Sequence, residues 1–208
     1  MSHQALFTHR AIGAVQAFPL IAVTDGDFVW DKKISLPNIT AYVSVVNGAV
    51  QASFVVAKTN HTKDMFAAVL DSESAKQLTM HRADFLWEKD CFECFIGHAD
   101  TPAYLEINAN SAGQFNSYQF DGYRTPNVMP PVANHGYDVQ SFVYQDEMNY
   151  CFGFEVTKIS TSMDVSRLKI NPTVILYPVI DGQAVPIYYA YQHAAPPDFH
   201  ASDVWQSL

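Results

Sequence analysis

Residues 86–97 read LWEKDCFECFIG, and their spacing of two fits an extended strand better than a helix. Phe92, Cys94 and Ile96 fall on one side, and Cys91, Glu93 and Phe95 on the other. The same period returns in YLEINAN (104–110), with Leu105, Ile107 and Ala109 on one face and Tyr104, Glu106 and Asn108 on the other. Further strand signals are AVQASFVVAK (49–58), MFAAVL (65–70), GQFNSYQF (113–120), YDVQSFVYQ (137–145) and YCFGFEVT (150–157), the last two flanking a turn at DEMN. TVILYPVIDG (173–182) and VPIYYAYQ (185–192) form a second hairpin pattern, with its turn at Asp181-Gly182-Gln183 and with Pro178 and Pro186 marking edges or strand ends. Helical signals are confined to short stretches at 72–82 and 157–168, and the Pro-rich segments 124–136 and 194–203 read as loops. No repeat or Gly/Ser linker divides the chain. This pattern predicts an all-β protein, an antiparallel β-sandwich in one domain over residues 1–208. Phe92, Cys94, Ile96, Leu105, Ile107, Phe152 and Phe154 are expected in its core.

The connection GHADTPA (97–103) is short enough to make 91–97 and 104–110 antiparallel neighbours, which puts Glu93 near Glu106 on one face with Phe95, Tyr104 and Asn108. A charge in mid-strand needs solvent or a partner. This face is therefore either exposed or the polar, aromatic-rimmed floor of a ligand site. Arg124, at the end of FDGYR, is placed to pair with one of the carboxylates, or to offer its five fixed donors to ligand hydroxyls.

Composition narrows the function classes. The net charge of −9 opposes nucleic-acid binding, while 14 Phe, 11 Tyr and 3 Trp suit a folded chain with a sizeable core. Of the three cysteines, Cys91 and Cys94 sit an odd number apart and point to opposite faces of one strand, so no disulfide is expected between them, and no second CxxC suggests zinc. The apolar stretch AIGAVQAFPLIAV is interrupted by Gln16 and Pro19, and no run approaches the roughly 20 apolar residues of a membrane span. The reading is a soluble, cytoplasmic chain without a membrane span, with export left open.

DGDFVWDK, LWEKDCFECFIG, YLEINANSAGQFNSYQFDGYR and IYYAYQHAAPPDFHASDVWQSL follow the order found in family 9 carbohydrate-binding modules and their DOMON-like relatives. The resemblance runs from about residue 25 to residue 208. It implies an antiparallel sandwich of immunoglobulin-like appearance that binds a saccharide without cleaving it, the sugar being clamped between two aromatic rings. By position, Trp87 resembles the first ring, Glu93 the carboxylate, and Tyr191 the second ring, where the family carries Trp. Glu106 stands where the family has an Arg, and Arg124 is the available substitute. Some members hold structural calcium, for which Asp25 and Asp27 are the weak candidates here, without a complete ligand loop. The DOMON side of the resemblance raises haem, with Met65, Met80, His81 and His193 as available ligands. Two further alternatives are a glycoside-active enzyme using Glu93 and Glu106, and a scaffold presenting YRTPNVMPPV to a protein partner.

Overall fold

The computed structural model describes residues 6–7, 14–24, 35–67, 75–157 and 165–208. In chain order the strands are β1 (Val15–Thr24), β2 (Ile39–Val46), β3 (Ala49–Ala57), β4 (Lys76–Gln77), β5 (His81–Arg82), β6 (Cys91–His98), β7 (Thr101–Ala109), β8 (Gln114–Phe120), β9 (Asp138–Gln145), β10 (Asn149–Thr157), β11 (Leu168–Leu176), β12 (Val179–Ile180), β13 (Gln183–Ala184), β14 (Ile187–Ala190) and β15 (Gln206–Ser207). The helix α1 (Asn60–Phe66) follows β3.

Thirteen of these strands form an all-β sandwich by curling one continuous sheet, in the order β4-β9-β10-β3-β2-β1-β14-β11-β6-β7-β8-β5, with β15 added to β11, while β12 and β13 pair only with each other. Strand β1 makes the fold possible. Its residues Val15–Leu20 pair with β2, and Ile21–Thr24 pair with β14, so it passes from one layer to the other within its own length. Pro19 lies in the part of β1 that has a neighbour on one side only, where a missing N–H is tolerated. Strand β11 stays beside β6 along its length but changes the neighbour on its other edge. It pairs with β15 at Lys169–Ile170 and with β14 from Val174 onward, and Pro172 falls in the gap between them.

The core between the layers is aromatic. Phe92 on β6 meets Phe54 on β3 (ring centroids 5.1 Å) and Phe152 on β10 (4.5 Å). All seven residues expected in the core are buried, and Cys91, Cys94 and Cys151 are buried thiols outside any disulfide. Cys94 belongs to the main core, whereas Cys91 lies toward the carboxylates of the opposite face.

Several local expectations are corrected. MFAAVL was expected to be a strand, but Met65 and Phe66 end α1, whose start at Thr59 is fixed by a reciprocal capping box with Thr62; residues 68–70 lie outside the described residues. The helical signal at 72–82 gives way, from residue 75 on, to the two short strands β4 and β5, because their edges are taken up by β9 and β8. The β5–β8 pair is parallel, the exception in an otherwise antiparallel set of named pairs. The helical signal at 157–168 is a single 3₁₀ turn at Val165–Arg167 where described, and residues 158–164 lie outside. Strand β2 adds to the expected strands, and the Asn47-Gly48 turn joining it to β3 has both residues at positive φ, as a tight hairpin requires. The Asp181-Gly182 turn expected at 181–183 has the same character and closes β12 on β13.

The face opposite the main core is also covered. Phe95, Tyr104, Tyr118, Phe120 and Trp205 form a second cluster, packed by Trp87, Ala133, Phe199 and Val204. The Pro-rich loop after β8 and the C-terminal segment roof this part of the sheet, so of the two readings of the Glu93 face, the exposed one is overturned: Glu93 and Glu106 are 2% and 4% exposed.

The β7–β8 hairpin supplies a stability test. Gly113 sits at φ +81°, and a Cβ there would come within 2.4 Å of the Thr79 backbone oxygen, whereas Gly182 at φ +82° has nothing within 4 Å. Gly182→Ala should cost only the left-handed penalty, about 1–2 kcal/mol. Gly113→Ala should cost clearly more, on the order of 3 kcal/mol, by adding a backbone collision. Paired urea melts check the order; equal losses would contradict the close approach.

Candidate functional site

The carboxylates are placed by the register of three strands. Glu93 on β6 faces Asn108 on β7 and Thr173 on β11, while Glu106 faces Phe95. Glu93 and Glu106 are therefore diagonal neighbours on one face, rather than directly opposed. Thr173 Oγ1 donates to Glu93 Oε2 (3.0 Å), and Asn108 Nδ2 donates to Glu106 Oε1 (2.7 Å). Glu106 Oε2 and Asn108 Oδ1 are buried with no hydrogen-bond partner.

Above this floor lies a cavity of about 240 Å³. Its walls include Trp87, Phe95, Phe120, Tyr188, Phe199 and His200, with Ile175 beside the carboxylates. Trp87 comes from a 3₁₀ turn, Leu86–Glu88, entered through Phe85 at φ 59°. The turn is held by Tyr177, whose hydroxyl donates to the Trp87 carbonyl (2.8 Å), and the Trp87 ring lies edge-on to Phe85 and Tyr118. Tyr188 comes from β14 and meets Phe199 edge-on (5.9 Å).

Of the residues singled out from sequence, Trp87, Glu93, Glu106 and Arg124 line this one cavity, and Tyr191 does not. Tyr191 packs against the main core, its ring edge-on to Phe18 (5.7 Å). The parity of β14 explains this, since Tyr189 and Tyr191 share the core side and Tyr188 takes the cavity side. Asp25 and Asp27 lie outside the described residues. Among the described residues no three His, Cys, Asp or Glu side chains cluster as metal ligands. The haem candidates lie away from the cavity: Met65 and Met80 pack on the main core, His81 is exposed, and the His193 ring bonds the Ile21 carbonyl. Among the described residues no helix is long and apolar enough to cross a membrane.

Sequence reasoning missed the C-terminal roof. Arg124 pairs with Asp198 (2.8 Å) rather than with either glutamate, and Tyr123 also donates to Asp198. The Asp198 carboxylate accepts the His200 N–H as well, and these contacts hold it below the usual carboxylate range against the opposing effect of its burial. The Phe199 carbonyl accepts from Asn171 (3.1 Å) and from the Trp205 indole (2.9 Å), which fastens the segment to β11. Only the aromatic and acidic content of DFHASDVW hinted at this, because a loop carries no periodic signal.

His200 links roof and floor. The Arg124 N–H donates to the Tyr104 hydroxyl (3.2 Å), and that hydroxyl lies 2.7 Å from His200 Nδ1. If the hydroxyl donates to Nδ1, the imidazole proton sits on Nε2, which is 3.7 Å from Glu106 Oε2. Burial first, and the Arg124 charge second, lower the His200 pKa to about 4, so the ring is neutral at pH 7.

No family model and no curated protein matches the chain. Among solved structures, the fold is similar to the crystal structure of a candidate carbohydrate-binding protein from Bacteroides uniformis. The two are 13% identical with a TM-score of 0.53, and the match covers 92% of this chain and 84% of that one. At this identity the likeness is one of fold.

The carboxylates make stability depend on pH. Burial, with the Glu106 charge adding to it, pushes Glu93 up to about 8, and burial pushes Glu106 up to about 7. A folded-state pKa above the unfolded value contributes stability at low pH that is lost as pH rises through the folded pKa. His200 has the opposite sign, with stability lost as pH falls from 6.5 toward 4. The two effects oppose each other below pH 6.5, and between about pH 6.5 and 8 the carboxylates act alone among these three groups. Stability should fall over that window by on the order of 1–2 kcal/mol. Glu93→Gln combined with Glu106→Gln should flatten the fall, as read by melting temperature against pH.

Proposed function

We propose that this cavity binds a saccharide without cleaving it, as in the family 9 modules the sequence resembles. One observation carries the reading: a single cavity combines aromatic walls with a floor of buried acceptors, one of which, Glu106 Oε2, lacks a donor. A sugar has an apolar ring face and a rim of hydroxyls, so it needs both surfaces. In this reading Trp87 and Tyr188 supply the ring surfaces, Tyr188 taking the part that position alone assigns to Tyr191. Glu93 and Glu106 accept hydroxyls. Arg124 holds the roof through Asp198 and stands at the mouth. The volume lies below the roughly 300–1,000 Å³ of pockets for drug-sized ligands, which suits one or two sugar rings rather than the side of a long chain.

The glycoside-active alternative has one observation in its favour, two buried carboxyls with raised pKa on one floor. Release of the leaving group from aryl glycosides, abolished by Glu93→Gln and by Glu106→Gln, would establish it over simple binding.

Calorimetry with a panel of oligosaccharides tests the binding reading. Trp87→Ala and Tyr188→Ala should each weaken the best ligand about tenfold or more through lost stacking. Tyr191→Leu should leave affinity within about twofold, because its ring packs on Phe18. A saccharide whose affinity ignores both Trp87→Ala and Tyr188→Ala would place the site elsewhere.

A further inference from the structure

The floor is short of donors. Glu106 Oε2 and Asn108 Oδ1 are buried acceptors without partners, and His200 Nε2 stays 3.7 Å from Glu106 Oε2, beyond hydrogen-bond reach. The cavity's charges have the same bias. Glu93, Glu106 and Asp198 are acidic, the one Arg is already bonded to Asp198, and His200 is a neutral ring whose Nε2 stays 3.7 Å from Glu106. A neutral sugar hydroxyl brings one donor to this deficit and also brings acceptor lone pairs that the two unpartnered oxygens cannot use. A protonated amine brings three donors and no acceptor, and its positive charge favours the ionised form of the two diagonal carboxyls, which burial otherwise holds partly protonated at pH 7. A metal ion would answer the charge equally, but the described residues offer no third ligand side chain, and the walls are rings, which favour an organic cation.

Resting on the saccharide reading, we propose that the ligand is an amino sugar, bound with its free ammonium group between Glu93 and Glu106 and its ring against Trp87. Glu106 Oε2 is the principal acceptor. Thr173 and Asn108, already bonded to the other carboxylate oxygens, hold the two carboxyls in place. N-acetylation removes the charge and two of the donors and adds bulk where the floor is closed, so the acetylated sugar should be refused.

The test compares three trisaccharides that differ at one position of each ring: chitotriose with free amines, its fully N-acetylated form, and cellotriose with hydroxyls. At pH 7, in 0.5 M salt, free chitotriose should bind the full chain at least about tenfold tighter than either other sugar, the gap between a charged and a neutral hydrogen bond. Glu106→Gln should bring chitotriose down to the level of cellotriose, and Glu93→Gln should reduce the preference as well. Cellotriose binding as tightly as chitotriose would overturn the amine proposal and leave the saccharide reading standing. No binding of any of the three, nor of any sugar in the wider panel, would overturn both. A preference for chitotriose that persists in Glu106→Gln, or that survives Trp87→Ala but vanishes with salt, would be general attraction to a chain of net charge −9 and would overturn the assigned site. Should a glutamine variant fail to fold, the three-sugar comparison on the unaltered protein still decides, since it needs no substitution.

Discussion

Two carboxylates lie under cover on a sheet face that strand patterning would leave to water, and much of the surrounding structure answers that placement. A buried, isolated charge is costly, and a side chain so placed is paired, hydrogen-bonded or neutralised by its own pKa. Here all three occur in part. Thr173 and Asn108 each bond one oxygen, burial raises both pKa values, and Glu106 keeps one oxygen unbonded. An apolar pair at these positions would pack more easily. The incomplete satisfaction is local: it sits where the cavity opens, while the neighbouring strand positions that carry Phe95 and Tyr104 are filled by rings.

Covering this face requires a roof, and a roof made of loops must be fastened at points. Trp205 packs within the aromatic cluster and donates to the Phe199 carbonyl, which Asn171 also bonds, from the stretch of β11 where Pro172 interrupts its edge pairing. Gly97 gives the indole its seat, since a Cβ there would lie 3.0 Å from the Trp205 ring. The proline gap in the ladder and the missing side chain at Gly97 are thus coupled to the same C-terminal segment. That segment then delivers Asp198 to Arg124 and His200 to Tyr104.

The sandwich was legible wherever one face of a strand is apolar and the next residue is not. The facing of β6 and β7 could be read, although β6 runs on to His98 and β7 begins at Thr101, inside the expected connection, and their shared face with Glu93 and Glu106 followed from a short connection alone. β10 and its hairpin to β9 were read for the same reason. Reading failed where period two is broken by function or length. β1 changes partners midway and contains Pro19, so it looked like an interrupted apolar run. Met65 and Phe66 are strand-like in composition but belong to a short capped helix. The second aromatic residue of the site was placed at a strand end, where Tyr188, Tyr189 and Tyr191 compete and parity decides among them only when the strand's inner face is known. Asp198, Phe199 and His200 carry no periodic signal, because a loop's side chains point where its anchors turn them.

Arg124 shows how such a loop residue changes meaning once its neighbours are known. Five donors near two glutamates suggested a direct ligand contact, yet its backbone adopts φ 48°, its N–H donates to the Tyr104 hydroxyl and its guanidinium holds Asp198. Its main-chain and side-chain groups thus tie the Pro-rich loop both to β7 below and to the C-terminal segment beside it. The Tyr104 hydroxyl, bonded by that N–H, lies against His200 Nδ1, and the other imidazole nitrogen faces Glu106. The arginine therefore reaches the floor through a chain of contacts, Tyr104 then His200, that ends beside the unbonded Glu106 oxygen. Its positive charge works in the same direction, helping to keep His200 neutral and Glu106 closer to its ionised form. Closure of the roof and the surroundings of the floor are in this way tied to a single residue that need not touch the ligand.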